Sequence, residues 1–136
     1  MTLGDIARIR VSKGEVEEAL RLHHERLAVF EELGDADGIA NTLWSIGQID
    51  FAQKRYGAAL QRLELAYTVL SKLGRLDGIC VVGMNLAPLL VAAKRPIEAI
   101  AVLARSREGF LKLGHAAGAS QAQELLEAIE QLSANR

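Results

Sequence analysis

The stretch LGDADGI, at residues 33–39, returns as LGRLDGI at residues 73–79 and as LGHAAGA at residues 113–119. The three copies lie 40 positions apart, and other residues outside these stretches repeat at the same interval. They are Ala19, Ala59 and Ala99, and the pair Lys54-Arg55, which returns as Lys94-Arg95. A fixed period of this length is typical of proteins built from stacked structural repeats. The interval therefore predicts a repeat protein.

Each period contains two helices joined by a short turn. Apolar residues stand at the three-or-four spacing of one helix face between residues 37 and 53, and residues 56–73 repeat that spacing. Gly74 is suited to end the second helix in the left-handed conformation. Asp77 is suited to cap the next helix, and Pro96 to stand in a first helical turn. No segment alternates apolar and polar residues as a half-buried strand would.

The whole chain is predicted to be all-α, with about seven helices. They are expected at residues 2–12, 16–33, 37–53, 56–73, 77–93, 96–113 and 117–133. Loops of two to four residues make consecutive helices antiparallel hairpins, and hairpins of equal length stack. We expect a single domain over residues 1–136, with repeats at about 1–34, 35–74 and 75–114 and a capping helix at 115–136.

Composition and charge exclude several classes of function. The chain has 16 Lys and Arg against 17 Asp and Glu, so it lacks the positive charge that drives nucleic-acid binding. Cys80 is the only cysteine, which prevents an intrachain disulfide and predicts a reducing, cytoplasmic location. The first residues show no export signal, and the longest uncharged run, residues 78–93, is shorter than the roughly 20 apolar residues that span a bilayer. We expect neither nucleic acid nor membrane as a partner.

The unit resembles a known family in the residues that pack its two helices together. In the second repeat, large and small residues stand at the relative spacings of the packing positions of tetratricopeptide repeats. These residues are Leu43, Ile46, Gly47, Ala59, Leu63 and Ala66. The unit is longer than the family's usual period of about 34, and it is similar to the variant found in kinesin light chains and in cell-polarity and bacterial regulatory scaffolds. The resemblance implies antiparallel hairpins stacked in a right-handed superhelix with one concave and one convex face.

The resemblance covers essentially the whole chain, but both ends depart from it. The helix at 2–12 begins about one turn later than the repeat requires, which favours a fragment or the edge of a homodimer over an abbreviated true start. At the other end, Glu127 replaces the small residue found at Gly47. Further polar residues there suit a solvated terminal cap.

The resemblance also implies where a partner binds, because the first helix of each hairpin lines the concave groove in such repeats. The corresponding residues are Asp5 and Arg8 in the first repeat, Asn41, Trp44, Ser45 and Gln48 in the second, and Val81, Met84, Asn85 and Pro88 in the third. Longer-period repeats often carry an asparagine at the position of Asn85, where its amide bonds the backbone of a bound peptide. The alternative is that Asn85 simply faces solvent.

Two features of this groove have both a binding and a packing interpretation. Trp44, the only tryptophan, either anchors a partner or packs between adjacent hairpins, and we expect it to be partly exposed. The helix at 77–93 has no charged residue after Asp77, so it is either a central layer covered on both sides or an exposed apolar surface for self-association. Pro88 within that helix is expected to bend it or to leave a carbonyl unpaired.

We expect no catalytic residue, cofactor or metal. His23 and His24 are adjacent, so on a helix their side chains point about 100 degrees apart, and no second ligand cluster matches them. Cys80 is expected to be a buried, inert thiol, and His115 to interact with the end of the preceding helix. Some tetratricopeptide repeats hold a C-terminal carboxylate in a clamp of Lys and Asn residues. Trp44 and Gln48 occupy positions where that clamp would need Lys and Asn, so the resemblance does not extend to this specificity.

The sequence therefore favours a protein- or peptide-binding scaffold that acts through the concave groove. One alternative is a structural domain whose function is homo-oligomeric assembly. Another is a sensory or regulatory domain that belongs to a larger signalling protein.

Overall fold

The computed structural model describes residues 13–134, which form six α-helices. They are α1 (Lys13–Leu33), α2 (Ala36–Ala52), α3 (Tyr56–Leu73), α4 (Leu76–Ala92), α5 (Pro96–Lys112) and α6 (Ala116–Ala134). These residues contain no strand, so the all-α prediction is confirmed. The helix predicted at 2–12, with Asp5 and Arg8, lies outside the described residues.

Consecutive helices pack against each other, and the loops between them contain only two or three residues. Such short connections make each helix run antiparallel to the one before it. The arrangement is that of a helical repeat protein, in which each element contacts mainly its neighbours along the chain. In residues 13–134, no helix is both long and apolar enough to cross a membrane.

The loops that follow α1, α3 and α5 each contain a glycine in the left-handed conformation. Gly34, Gly74 and Gly114 have φ angles of 67°, 69° and 73°. In that region a Cβ atom clashes with the following carbonyl oxygen, so glycine is favoured. The prediction that Gly74 ends its helix is confirmed.

Two predicted helix caps were wrong. Asp77 lies inside the first turn of α4, whose N-cap is Arg75 without a side-chain hydrogen bond. His115 acts on the following helix rather than the preceding one, because its Nδ1 accepts a hydrogen bond from the Gly118 N–H at 2.8 Å. Asp35 does the same at the start of α2, where its carboxylate accepts from the backbone N–H three residues later. Both acceptors satisfy an N–H that lacks a partner within the helix.

The loops that follow α2 and α4 differ, because a lysine occupies the left-handed position. Lys54 and Lys94 have φ angles of 62° and 63°. The next residue closes each turn: the Arg55 N–H donates to the Asp50 carbonyl, and the Arg95 N–H donates to the Leu90 carbonyl, both at 2.8 Å. These turns therefore form despite a backbone conformation that disfavours a side chain.

The repeated glycines at positions 38, 78 and 118 allow adjacent hairpins to approach. A Cβ on Gly38 would overlap the ring of Phe30, and one on Gly118 would lie 2.6 Å from the ring of Phe110. Leu70 covers the equivalent glycine of α4. At the junctions α1–α2, α3–α4 and α5–α6, a large side chain from the end of one helix thus packs on the bare backbone of a glycine in the next.

The pair α4 and α5 forms the centre of the core. Ala99 of α5 and Cys80 of α4 are completely buried there, and burial raises the pKa of the Cys80 thiol. The Ser106 hydroxyl, also completely buried, donates to the Cys80 carbonyl at 3.2 Å. The prediction of a buried cysteine is confirmed, because α4 is covered by neighbours on both sides.

Candidate partner-binding groove

The predicted groove residues of α2 and α4 occupy matching positions 40 residues apart, so each pair belongs to the same face of its helix. Asn41, Val81, Asn85 and Pro88 are exposed. Trp44, Ser45, Gln48 and Met84 are half-buried. We refer to the surface formed by these eight residues as the groove face. Its members remain accessible while the opposite sides of α2 and α4 build the core.

A cavity of about 500 Å³ lies between the first halves of α2 and α4. Its lining residues are Asp37, Ala40, Asn41, Trp44, Leu70, Arg75, Asp77, Gly78, Val81 and Val82. The structure therefore brings together Asn41, Trp44 and Val81 of the predicted set. We call this space the α2–α4 cavity.

The other predicted residues do not line this cavity. Ser45 and Asn41 border a second cavity, of about 310 Å³, whose remaining walls include Arg26 and Phe30 of α1. Gln48 and Met84 lie further along their helices than the cavity reaches, as do Asn85 and Pro88. The predicted residues are thus spread along the groove face rather than gathered in one pocket.

Trp44 has the packing role that was considered for it, it is partly exposed as expected, and its role as a partner anchor stays a prediction. It is half-buried and packs against the central hydrophobic cluster, which also contains Leu63 and Leu86. It also lines the α2–α4 cavity, where part of its surface faces solvent. A large ring that is held by the core and exposed on one side is well placed to contact a partner without further ordering.

Two polar groove residues use their side chains within their own helix. The Asn85 side-chain N–H donates to the Val81 carbonyl at 2.9 Å, and the Ser45 hydroxyl donates to the Asn41 carbonyl at 3.1 Å. The Val81 carbonyl lies one turn before Asn85, and α4 continues through Pro88 to Ala92. A partner that bonds the donating N–H of Asn85 has to replace this intrahelical bond.

A charged group borders the α2–α4 cavity. Arg75, in the loop before α4, donates through Nε and Nη2 to the two carboxylate oxygens of Asp37 in α2, both at 2.9 Å. These hydrogen bonds, together with the positive charge of the guanidinium, hold the pKa of Asp37 below its ordinary value. Asp37 and, more weakly, Asp77 raise the pKa of Arg75. The pair joins α2 to the loop before α4 at the cavity.

Sequence reasoning did not assign Asp37, Leu70, Arg75 and Asp77 to this site. The repeat of Asp-Gly-Ile at residues 37–39 and 77–79 was visible, and it was interpreted as a marker of the period, with Asp77 also interpreted as a helix cap. That repeat contained a usable signal, because two aspartates in the same register begin the two helices that form the cavity. Leu70 and Arg75 had no such signal, since they come from the preceding helix and its loop.

Within residues 13–134, the histidines are not placed to form a metal site. His24 is exposed, whereas His23 is half-buried and its Nδ1 has no hydrogen-bond partner among residues 13–134. Burial lowers the pKa of His23, and the nearby positive charge of Arg26 lowers it further. Within the described part of the chain, no group of three or more His, Cys, Asp or Glu residues is placed to hold a metal ion.

Comparison with known families agrees with this repeat architecture. A family model described as tetratricopeptide repeat matches residues 1–72, which is more than half of the 136-residue chain. No curated protein matches the chain.

Proposed function

Because the chain belongs to the tetratricopeptide repeat family, we propose that its groove face binds a segment of a partner polypeptide. Tetratricopeptide repeats generally serve as protein-interaction scaffolds, so an interaction role follows from the family, and the groove is the more specific part of the proposal. The observation that carries it is the α2–α4 cavity, where Trp44 and Val81 expose apolar surface beside Asn41.

The groove face offers accessible apolar surface on rigidly held helices. Val81 keeps 45% of its surface exposed, although most apolar residues of α4 are buried. Trp44 is held by core contacts, so little conformational entropy is lost when a partner covers it. Aromatic side chains in such positions are frequent binding hot spots.

We propose a binding protein rather than an enzyme, and its action requires no cofactor. The buried, unpaired Cys80 thiol is compatible with a reducing compartment, so we propose a cytoplasmic protein.

The test combines two groove substitutions. The double variant Trp44→Ala and Asn85→Ala is expected to lose partners that the wild-type chain captures from a lysate, while its circular dichroism spectrum stays helical. Leu65→Ala is the matched control, because Leu65 is half exposed and belongs to α3, outside the groove face. Equal capture by the wild type and the double variant would reject the groove assignment.

A second candidate function is self-association, and it is supported by α1 rather than α4. Leu22, Val29 and Leu33 have 47%, 51% and 72% of their surface exposed, which gives α1 an uncovered apolar side within the described residues. An apolar surface of this kind often marks an interaction site. Light scattering at two protein concentrations tests it, since a mass that stays at one chain at high concentration rules out homo-oligomerisation.

A further inference from the structure

Charges are distributed unequally between the two kinds of helix. Among residues 13–134, the helices α2, α4 and α6 contain carboxylates and no Lys or Arg. The carboxylates are Asp37, Asp50, Asp77, Glu124, Glu127 and Glu130. Every Lys and Arg in the described part of the chain lies on α1, α3 or α5, or in a loop. The helices that bear the groove face are therefore purely acidic.

Four of these carboxylates, Asp77, Glu124, Glu127 and Glu130, are exposed and form no ion pair within residues 13–134. Asp50 is buried beside Arg55, and Asp37 is paired with Arg75. The Asp77 carboxylate, in contrast, is exposed at the α2–α4 cavity and makes no hydrogen bond or ion pair within residues 13–134, although its charge raises the pKa of Arg75 more weakly than Asp37 does. Glu124 is also exposed and unpaired among these residues, and it stands in α6 at the register position of Trp44 and Met84.

The α2–α4 cavity combines this charge with an apolar wall. Trp44, Leu70 and Val81 form apolar parts of the lining, and Asp77 stands at the start of α4 beside them. Arg75 does not make the net charge of the cavity positive, because its guanidinium donates two hydrogen bonds to the Asp37 carboxylate, which balances its charge. One cation and two carboxylates border the cavity, which leaves a net charge of −1 there.

The amino-acid side chains that match such a site are lysine and arginine. Their long methylene stems cover apolar surface while the charged end stays at the polar edge, and an aromatic face attracts a nearby cation. An acidic side chain would meet the unpaired Asp77 carboxylate and be repelled. A nucleic acid would also be repelled, because its phosphates are negatively charged like these carboxylates.

We propose that the partner segment is basic and that one of its lysine or arginine side chains enters the α2–α4 cavity, with its stem on Trp44 and its charge at Asp77. This inference rests on the proposed function, since it requires that the groove face binds a polypeptide. It adds the chemical class of that polypeptide.

The experiment starts from a library of random dodecapeptides displayed on phage and selected on the immobilised full-length chain. The strongest binder is synthesised in three forms: as selected, with each Lys and Arg replaced by Gln, and with each replaced by Glu. Binding is followed by the fluorescence of Trp44, which reports on the cavity directly because it is the only tryptophan. Each titration is repeated at low and at high salt.

The protein variants separate charge from shape. Asp77→Asn removes the charge with little change of shape and is expected to weaken binding of the basic peptide by up to about 5-fold, the upper end of what an exposed ion pair contributes. Glu108→Gln is the matched control, because it makes the same charge change on α5, and it is expected to leave affinity unchanged. Asn41→Lys brings the net charge of the cavity from −1 to zero and is expected to remove most of the preference for the basic peptide over its Glu-substituted form. Trp44→Ala, read by anisotropy of a labelled peptide, is expected to weaken binding by roughly 30-fold.

The outcomes are distinguishable. The inference is supported if the selected peptides are basic and if their affinity falls in high salt, in the Asp77→Asn variant and after replacement of their Lys and Arg by Gln. Selection of neutral or acidic peptides whose binding still depends on Trp44 overturns the inference and leaves the proposed function standing. Recovery of no peptide whose binding depends on Trp44 overturns both.

Discussion

Gly83 is a position at which a single added methyl group is expected to lower stability. It lies within α4, where alanine ordinarily stabilises a helix relative to glycine by about 0.5–1 kcal/mol. A Cβ at this position would overlap the Ser106 Oγ of α5 and lie 3.1 Å from a methyl carbon of Val102. Packing between α4 and α5 therefore opposes the intrinsic preference of the helix.

The structure sets the expected magnitude. Ser106 is completely buried and can make room only by rotating its hydroxyl away from the Cys80 carbonyl, a bond that contributes about 1 kcal/mol. Overpacking of a core position adds about 1–3 kcal/mol. After the gain in helix propensity, Gly83→Ala is expected to lower the free energy of unfolding by about 1–3 kcal/mol.

A double substitution tests the cause. Ser106→Ala alone loses the buried hydrogen bond and is expected to lower the free energy of unfolding by about 1 kcal/mol. Combined with Gly83→Ala it removes the overlapping oxygen, and the two remaining Cβ atoms would lie 3.7 Å apart, in ordinary contact. The double variant is expected to be close to the wild type, so the coupling energy is about 2–4 kcal/mol.

The assay is equilibrium urea unfolding followed by far-ultraviolet circular dichroism on the four proteins of this cycle. Gly57→Ala is the control, because Gly57 lies in α3 with no atom within 4 Å of an added Cβ, and it is expected to stabilise the chain. If Gly83→Ala stabilises the chain as Gly57→Ala does, or if the two substitutions of the cycle are additive, the packing argument is refuted.

Three further predictions concern turns, caps and the charged pair. Lys54→Gly and Lys94→Gly are each expected to raise the free energy of unfolding by about 1 kcal/mol, because φ is positive at both positions and glycine adopts that conformation without a steric cost. An unchanged urea midpoint would contradict this. His115→Ala is expected to lose about 1 kcal/mol in the same assay and His115→Asn much less, because asparagine also accepts a cap hydrogen bond. The folded-state pKa of Asp37 lies below its unfolded value, so the contribution of its pair with Arg75 is present at neutral pH and disappears as pH falls through the lowered pKa. A carboxyl NMR titration of Asp37 checks the direction, and a midpoint at or above that of free aspartate would refute it.

Much of the fold was predictable because its determinants are local. The bounds of α3 agree with the predicted 56–73, since Gly74 ends the helix through its own backbone conformation. Starts of helices were harder. Asp35 and Asp77 are both suited to cap a helix, but only Asp35 stands at the residue before the first turn, and Asp77 lies inside the turn.

The candidate site was predictable only in part, for a related reason. Register along a repeated helix assigned Asn41, Trp44 and Val81 to one face, and these three do line the α2–α4 cavity. The same register could not assign Arg75, whose partner Asp37 is 38 residues away in the chain. Contacts between segments so far apart depend on how hairpins stack.

The sequence by itself determined that the chain forms helices, where most of them end and which helix faces repeat, because spacing, turn residues and period act within a few positions of the chain. Only the tertiary structure decided that Gly38 and Gly83 are sites of close approach, that Arg75 is paired with Asp37, and that Asp77 remains unpaired at a cavity. These properties depend on the distance between helices, and that distance follows from the side chains that each hairpin presents to the next.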